Sequence, residues 1–322
     1  MNNGGKPTPV LEIGGTHVTA ALVSSPGNRE QQWAVVPDSV VRRGLDANAS
    51  ADTLLDGLAA AARDIGADQD GCWGVALPGP FDYANGVALY EHVGKFDQLR
   101  GVDIRAGLRA RLQDAMRSAW FLNDADAFGI GEVALGAAGD SRRAVCLTLG
   151  TGVGSAFLAD GVPVKAGPDV PPDGSCYLLQ YRGHPLEETV SRRAIRRAYA
   201  LEVPDAGAPD VRAIAEACRA GDAVAAAVLG RAFAALGEAV GPFLLRFGAE
   251  VLIVGGSMAG SWDIVEPAVR QGLAAVHPQL AALPLRKAAR SEEAGLVGAA
   301  WWARTRESGR SQAARRDVRA EP

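Results

Sequence analysis

The stretch AVCLTLGTGVG, residues 144–154, joins an apolar run to a turn that contains three glycines. The run from Ala144 to Leu149 is apolar and partly β-branched, which predicts a buried strand. Apolar residues resume after Gly154, so the glycines are expected to form a turn between two strands. Because glycine has no Cβ, backbone N–H groups at such a turn approach an anionic ligand closely. The stretch therefore predicts a strand pair around an anion-binding turn.

Two further glycine turns follow apolar runs elsewhere in the chain. EIGGT, residues 12–16, follows a run that begins at Val10, and VGGS, residues 254–257, follows one that begins at Val251. Each turn taken alone is more often an ordinary tight hairpin. Three such turns, each at the end of a predicted strand, favour one polyphosphate ligand held from several sides. Thr16 and Thr151 add hydroxyl groups as further donors.

The composition is that of a globular protein with an ample core. The chain has 322 residues, of which 48% are hydrophobic and 22% charged, enough for two domains or one large one. A net charge of −4 argues against a nucleic-acid partner held through its phosphates. No apolar run is expected to approach the roughly 20 residues that span a bilayer, and residues 1–9 lack the apolar core of a secretory signal. We therefore expect a cytoplasmic protein with no membrane partner.

The four cysteines are widely scattered and none forms a Cys-x-x-Cys pair. Neither a zinc site nor a disulfide framework is indicated, and we expect the cysteines to be small buried hydrophobic residues. They are Cys72, Cys146, Cys176 and Cys218.

Predicted strands and helices alternate along the chain, which favours an α/β fold. A glycine turn between two strands occurs twice, near residues 14 and 152, so we expect two related halves that face each other across a cleft. The break falls at Asn123-Asp124, which gives an N-terminal α/β lobe over residues 1–123 and a C-terminal α/β lobe over residues 124–293. Residues 308–322 are charged, small and free of aromatics, which predicts a disordered tail.

Six short motifs, taken in their order along the chain, resemble those of the ROK family of sugar kinases within the actin-like ATPase superfamily. The resemblance covers roughly residues 9–304. It implies a two-lobed actin-like ATPase (ribonuclease H-like) fold with ATP and sugar in a central cleft, and a C-terminal helix, residues 294–304, that returns to the first lobe. The motifs are LEIGGT (residues 11–16), LPGP (77–80), LNDADA (122–127), LGTGVG (149–154), LEETVS (186–191) and VGGS (254–257).

The resemblance also implies which residues bind the ligands. The first two glycine turns would hold the phosphates, and the third would lie against the adenosine. Sugar hydroxyls would be contacted by Asn123 and Glu187, and the backbone at Pro78 and Gly79 would line the sugar side. The residues assigned to ATP in this way are Glu12, Gly14, Gly15, Thr16, Gly150, Thr151, Gly152, Gly154, Gly255, Gly256 and Ser257.

Asp124 takes the role of catalytic base in the resemblance. A hydroxyl is a poor nucleophile at neutral pH, and a carboxylate within hydrogen-bond reach removes its proton as the phosphoryl group arrives. Asp124 follows an apolar strand and begins a helix, so it is expected to project from a rigid edge. The alternative is that Asn123 or Asp124 merely caps that helix.

Glu12 departs from the family pattern, which usually has aspartate at this position. The family's carboxylate helps to organise Mg²⁺ and its waters. Glu12 keeps the charge but adds a methylene group, so we expect it to reach the metal through water. Phosphoryl transfer otherwise needs positioning and charge neutralisation, which backbone N–H groups and Mg²⁺ supply.

The segment between Gly167 and Leu186 departs further. Many family members have a Gly-His pair and a cysteine-rich zinc cluster there, whereas this chain has only Cys176 and no histidine after Gly167. Zinc is therefore not expected, and packing and prolines are expected to hold the sugar loop. His184 is either a replacement sugar contact or a plain surface histidine.

The same segment contains Asp169 and Asp173, with Glu187 and Glu188 close by in sequence. An acidic pocket suits a sugar with an ammonium group, through charge-assisted hydrogen bonds. In this respect the chain resembles zinc-less amino-sugar kinases of antibiotic pathways, such as kanosamine 6-kinases. The alternative is that these acids are solvated loop charges.

The leading hypothesis is thus an ATP-dependent kinase that acts on the 6-hydroxyl of a glucose-type hexose or amino-hexose. A sugar-responsive transcription regulator is disfavoured, since Glu12 lies too near the start for a preceding DNA-binding domain. A sugar-binding or regulatory protein with weak or no kinase activity is the alternative, suggested by Glu12 and the absent zinc motif. The family implies a homodimer.

Overall fold

A computed structural model describes residues 6–26, 32–67 and 71–320. These residues form two compact units. The first unit comprises the chain up to Leu135 together with the residues from Glu292 onward, and the second comprises Gly136–Ser291. The division falls after the helix that follows Asn123, rather than before it, because that helix packs within the first unit.

The first unit contains a six-stranded mixed sheet in the order β3-β2-β1-β5-β8, with β4 also paired to β2. β1 and β2 form an antiparallel hairpin, whereas β1, β5 and β8 run parallel to one another. A short β6–β7 hairpin lies outside this sheet. The strands are β1 (Thr8–Ile13), β2 (His17–Ser24), β3 (Ala34–Val35), β4 (Val41–Gly44), β5 (Cys72–Leu77), β6 (Phe81–Asp82), β7 (Val87–Ala88) and β8 (Ser118–Asn123).

The helices of the first unit begin where the sequence supplies a capping side chain. The Thr53 N–H donates to Ser50 Oγ at 3.3 Å, and the Ala106 N–H donates to Asp103 Oδ1 at 2.9 Å. The helices are α1 (Ala51–Asp64), α2 (Ile104–Leu112), α3 (Asp124–Ala134) and α10 (Ser291–Ala320).

Helix α10 extends much farther than the predicted helix of residues 294–304. The carboxylate of Glu307 accepts hydrogen bonds from Arg117 Nη1 at 2.6 Å and Trp120 Nε1 at 3.1 Å, which attaches the helix to β8. Beyond this point the sequence is rich in alanine and arginine, which favour a helix. The structure describes α10 as far as Ala320, the last two residues lie outside the described part of the chain, and the disorder of residues 308–322 stays a prediction.

The second unit repeats the strand arrangement of the first. Its sheet has the order β11-β10-β9-β14-β15, in which β9 and β10 form an antiparallel hairpin and β9, β14 and β15 are parallel. In both units a glycine turn connects the two strands of the hairpin. The strands are β9 (Arg143–Leu149), β10 (Val153–Ala159), β11 (Val162–Pro163), β12 (Gln180–Tyr181), β13 (His184–Pro185), β14 (Val251–Gly255) and β15 (Leu285–Lys287).

Helices cover the sheet of the second unit and enclose its core. Two of these helices are divided at Ser191, whose extended backbone and hydroxyl cap the second one. The helices are α4 (Glu187–Val190), α5 (Arg192–Glu202), α6 (Val211–Arg219), α7 (Ala223–Phe247), α8 (Trp262–Val276) and α9 (Pro278–Ala281).

By length and composition, α7 is the one helix in the described part of the chain that could cross a membrane. The sequence did not predict an apolar stretch of this length, because Arg231 and Glu238 interrupt it. Half of its most apolar window is buried inside the structure, where Phe233, Leu236 and Val240 join the core of the second unit. A buried core helix of a globular domain has the same composition.

Helix α10 packs closely on α3 and β5 because glycines stand at the contacts. A Cβ on Gly298 would collide with the carbonyl oxygen of Ala127, and a Cβ on Gly131 would collide with that of Ala294. Gly74 of β5 meets the Ala299 carbonyl in the same way. Missing side chains thus set how closely this helix approaches its neighbours.

We predict that Gly298→Ala lowers the free energy of unfolding by about 2 kcal/mol or more, since the added methyl group has no space. Gly309→Ala in the same helix is the matched control, because nothing lies within 4 Å of its Cβ position. Replacing an exposed helical glycine by alanine is expected to stabilise by about 0.5–1 kcal/mol. Urea unfolding measures both, and equal effects of the two substitutions would contradict this packing.

Candidate active site

In the first unit, Glu12 lies near the carboxyl end of β1, partly buried and close to a second carboxylate. Burial, and next the negative charge of Asp124, raise the pKa of Glu12 to about 7, although the positive charge of Arg42 opposes the shift. The side chain extends toward α10, where a Cβ on Gly295 would collide with Glu12 Oε1. Gly295 therefore provides the space that the longer glutamate side chain occupies.

Asp124 is the first residue of α3, directly after β8 ends at Asn123. The Ala125 N–H donates to Asn123 Oδ1 at 3.0 Å and to Asp124 Oδ1 at 2.9 Å, so both residues do cap the helix. The side chain of Asp124 is nevertheless exposed. The positive end of the helix dipole favours its negative charge.

Two tyrosines that the sequence did not reveal are hydrogen-bonded to the predicted sugar-binding residues. Asn123 Nδ2 donates to the hydroxyl oxygen of Tyr83 at 3.0 Å, and the Tyr90 hydroxyl donates to the carbonyl of Pro78 at 2.7 Å. Burial raises the pKa of both tyrosines above the ordinary range, so both hydroxyls keep their protons. A cis peptide bond joins Gly79 to Pro80, directly after Pro78. The motif LPGP indicated this backbone but not the tyrosines that fix it.

The first glycine turn is tight, with the Gly14 N–H donating to the His17 carbonyl at 2.9 Å. Arg42 Nη2 lies 2.8 Å from His17 Nε2, and His17 Nδ1 lies 3.1 Å from Thr16 Oγ1. Because a guanidinium can only donate, Nε2 accepts and Nδ1 carries the proton toward Thr16. Burial and the charge of Arg42 lower the pKa of His17, which agrees with a neutral ring.

Lys95 brings a second positive charge to this turn. Its Cδ lies 3.5 Å from the Cβ position of Gly15. Arg42 and Lys95 come from segments far from the turn in sequence, which is why the motif EIGGT alone did not reveal them.

The second and third glycine turns meet in the second unit. Gly256 has a φ of 83°, and a Cβ there would collide with the backbone of Leu149. The Cβ position of Gly150 lies 3.7 Å from Ser257 Oγ. Two turns more than 100 residues apart in sequence therefore adjoin within one unit, as a shared ligand requires.

Glu187, the predicted sugar-binding residue, lies against the second glycine turn, residues 150–152. The Val153 N–H donates to Glu187 Oε1 at 2.8 Å, and the Arg192 N–H donates to the Gly150 carbonyl at 3.0 Å. The start of α4 and the start of α5 are thus hydrogen-bonded to the two ends of the turn.

A buried serine, Ser155, holds the loop between Gly167 and Leu186. Ser155 Oγ donates to the Gly174 carbonyl and accepts from the Cys176 N–H, both at 2.8 Å. Burial raises the pKa of the Cys176 thiol to about 12. In the described part of the chain, no three His, Cys, Asp or Glu side chains form a group that could hold a metal ion. The sequence predicted prolines and packing here, and missed Ser155.

Asp169 and His184 have exposed side chains in this unit. Asp169 precedes the buried Val170, and His184 lies opposite Tyr181 in the β12–β13 hairpin. Asp173 is also exposed, in a left-handed backbone conformation with a φ of 53°. These positions agree with solvated loop residues as well as with residues that meet a ligand at the surface.

The raised pKa of Glu12 makes stability depend on pH. Between pH 4.5 and about 7 the unfolded chain loses the Glu12 proton while the folded chain keeps it. The free energy of unfolding in the absence of metal is therefore expected to fall over this window, by about 3 kcal/mol at most. Glu12→Gln should remove this loss and exceed the wild type in stability at pH 8, but not at pH 4.

Urea unfolding in EDTA across this pH range measures the effect. Glu216→Gln is the control, since Glu216 is an exposed acid paired with Arg212 on α6. Its free energy of unfolding should change with pH as that of the wild type does. A Glu12→Gln variant with the wild-type slope would contradict the assigned protonation of Glu12.

The sequence and the fold of this chain are similar to those of known proteins. The chain is 27% identical over 319 residues to a glucokinase of Thermotoga maritima, covering 90% of this chain and 95% of the relative. Its fold is similar to that of a ROK hexokinase from Thermus thermophilus, with a TM-score of 0.71, 24% identity and coverage of 94% of this chain and 99% of the other.

A ROK glucokinase from Streptomyces griseus, solved with glucose and AMPPNP, gives a TM-score of 0.68 at 23% identity over 93% of this chain and 99% of the other. These similarities confirm the predicted mixed α/β fold of the actin-like ATPase type. The sequence model of the ROK family matches residues 9–306. The chain therefore belongs to the ROK family.

Proposed function

We propose that this protein is an ATP-dependent sugar kinase that transfers the γ-phosphate to the 6-hydroxyl of a glucose-type hexose, with Asp124 as general base. The observation that carries the proposal is the unequal environment of two neighbouring carboxylates. Burial favours the protonated form of Glu12, whereas Asp124 is exposed at a helix N-terminus that favours its charged form. The proposal also rests on family membership and on relatives described as glucokinases.

Asp124 is suited to accept the proton of a sugar hydroxyl. One of its oxygens already accepts from the Ala125 N–H, which fixes the carboxylate relative to α3. Asn123 is fixed in turn by Tyr83, so its amide is oriented for sugar hydroxyls. Efficient transfer requires the base within hydrogen-bond reach of the hydroxyl, and a rigid strand–helix junction provides such positioning.

The glycine turns fit the phosphates of ATP, and the carboxylate of Glu12 fits a Mg²⁺ ion that it would reach through water. Mg²⁺ usually binds through one or two carboxylates together with substrate phosphates, so a single acid is sufficient. When bound, the ion neutralises the charge that phosphoryl transfer concentrates. Glu12 would hold it through water, and Arg42 and Lys95 would add positive charge beside the first turn. Gly255, Gly256 and Ser257 would lie against the adenosine.

We predict that Asp124→Asn lowers kcat at least about 100-fold, the usual contribution of a general base. Binding of a non-hydrolysable ATP analogue should stay within about threefold of wild type, because asparagine keeps an oxygen that accepts from the Ala125 N–H. Coupled assay of ADP release and calorimetry measure the two quantities.

Asp103→Asn is the matched control, since the Asp103 carboxylate also accepts a backbone N–H, that of Ala106, at the start of a helix of the same unit. Its kcat should remain near wild type. Undiminished turnover in Asp124→Asn would show that another group takes the proton.

The choice of sugar is proposed to include amino-hexoses, with kanosamine favoured among them. The support is the acidic character of the exposed loop residues Asp169 and Asp173, with Glu187 at the neighbouring glycine turn. An ammonium group would form charge-assisted hydrogen bonds with such acids. His184 would be a further sugar contact. This preference would place the enzyme in antibiotic biosynthesis rather than in general carbohydrate metabolism.

A panel of glucose, glucosamine and kanosamine tests this choice. If the loop acids recognise an ammonium group, Asp169→Asn with Asp173→Asn should raise the KM for the amino sugar about tenfold and leave that for glucose unchanged. Equal effects on both sugars would contradict recognition of the amine. A wild-type preference for glucose would make the protein a glucokinase like its Thermotoga relative.

The second candidate is a sugar-binding or regulatory protein of the same family with little kinase activity. Glu12, one methylene longer than the family's usual aspartate, is the feature that favours it. A wild-type chain that binds sugar without releasing ADP from ATP would support this candidate. The proposal further includes a homodimer in the cytoplasm, which light scattering and cell fractionation would test.

A further inference from the structure

Glu187 has a second neighbour besides the sugar that it is proposed to contact. Its Oε1 accepts the Val153 N–H at 2.8 Å, directly after the glycine turn of residues 150–152. The backbone of Glu187 is firmly placed, because Leu186 and Val190 on either side are fully buried in the core of the second unit. A carboxylate on a well-anchored backbone segment therefore holds the end of the glycine turn.

The other end of the turn is held by the same segment. The Arg192 N–H donates to the Gly150 carbonyl at 3.0 Å, and Ser191 between the two helices is buried and caps α5. The segment Glu187–Arg192 thus contacts the turn at both ends. Its conformation sets where the N–H groups of Thr151 and Gly152 lie.

Gly152 shows how close this contact is. Its φ lies outside the left-handed region, so its backbone conformation does not require glycine. A Cβ at this position would instead collide with Glu187 Oε1. The absence of a side chain at residue 152 is therefore explained by the carboxylate of Glu187, before any phosphate is considered.

We infer that Glu187 is a positioning residue for ATP as well as a sugar contact, and that Gly152 is glycine to admit its carboxylate. This inference rests on the proposed kinase function. One carboxylate oxygen holds the phosphate-binding turn, and the other, farther from Gly152, remains directed elsewhere for the sugar. Sugar and nucleotide then act on one side chain, which couples their affinities.

The test is the affinity of the full chain for Mg²⁺ with a non-hydrolysable ATP analogue in the absence of sugar, measured by calorimetry. Glu187→Ala should weaken binding about tenfold, the effect of losing one hydrogen bond to a charged group. Glu187→Gln should stay within about threefold, since its amide oxygen accepts from Val153, while its sugar affinity falls. Glu188→Ala is the matched control, because Glu188 pairs with Arg193 and Arg197 instead.

A double-mutant cycle tests Gly152. Gly152→Ala should weaken analogue binding in the wild-type background. In the Glu187→Ala background, the same substitution should weaken binding by less than about a further threefold. Equal costs in both backgrounds would show that Gly152 serves the phosphate alone and would overturn its assigned role. Amide exchange at Val153 gives a readout without nucleotide, and should become faster in Glu187→Ala and remain slow in Glu187→Gln.

The outcomes separate this inference from the proposed function. If Glu187→Ala binds the analogue as tightly as wild type, Glu187 is a sugar contact only. Tighter binding would mean that its carboxylate competes with phosphate, which also contradicts the inference. A wild-type chain that binds no ATP analogue would overturn the kinase function together with the inference.

Discussion

The electrostatic interaction between the carboxylates of Glu12 and Asp124 is the main constraint on the candidate site of the first unit. Burial and the negative charge of Asp124 both disfavour a charged Glu12, so Glu12 takes a proton or a nearby cation offsets its charge. Burial favours the proton on Glu12, and the N-terminus of α3 favours charge on Asp124. Gly295 of α10 admits the longer Glu12 side chain, so the last helix of the chain takes part in placing the first acid.

In the second unit, close approach to the backbone, rather than a pair of acids, shapes the candidate site. Its two glycine turns adjoin because Gly256 has no Cβ against the backbone of Leu149, and the carboxylate of Glu187 fits because Gly152 has none. Of these two glycines, only Gly256 has a left-handed φ. Close approach is therefore a second reason, beside backbone freedom, for glycine at the ends of these strands. It allows one side chain, Glu187, to link a phosphate turn with a proposed sugar site.

Much of this organisation follows from the sequence because it is local. A capping residue marks the start of α1, and an apolar strand that runs into Asn123-Asp124 places both side chains at a strand–helix junction. The contacts that the sequence did not reveal join residues far apart in the chain, as Tyr90 and Pro78 or Ser155 and Gly174 do. The length of α10 was underestimated because its attachment depends on Glu307 and β8, which composition alone does not show.

The central claim is that Asp124 removes the proton from the sugar hydroxyl. The most direct measurement is a crystal structure with glucose, Mg²⁺ and a non-hydrolysable ATP analogue, from which the distance between the Asp124 carboxylate and the 6-hydroxyl oxygen is read. If Asp124 is the base, direct hydrogen-bond contact is expected, at about 2.6–3.2 Å. A 6-hydroxyl that instead contacts another acid or base, with Asp124 beyond the reach of one bridging water, would contradict it.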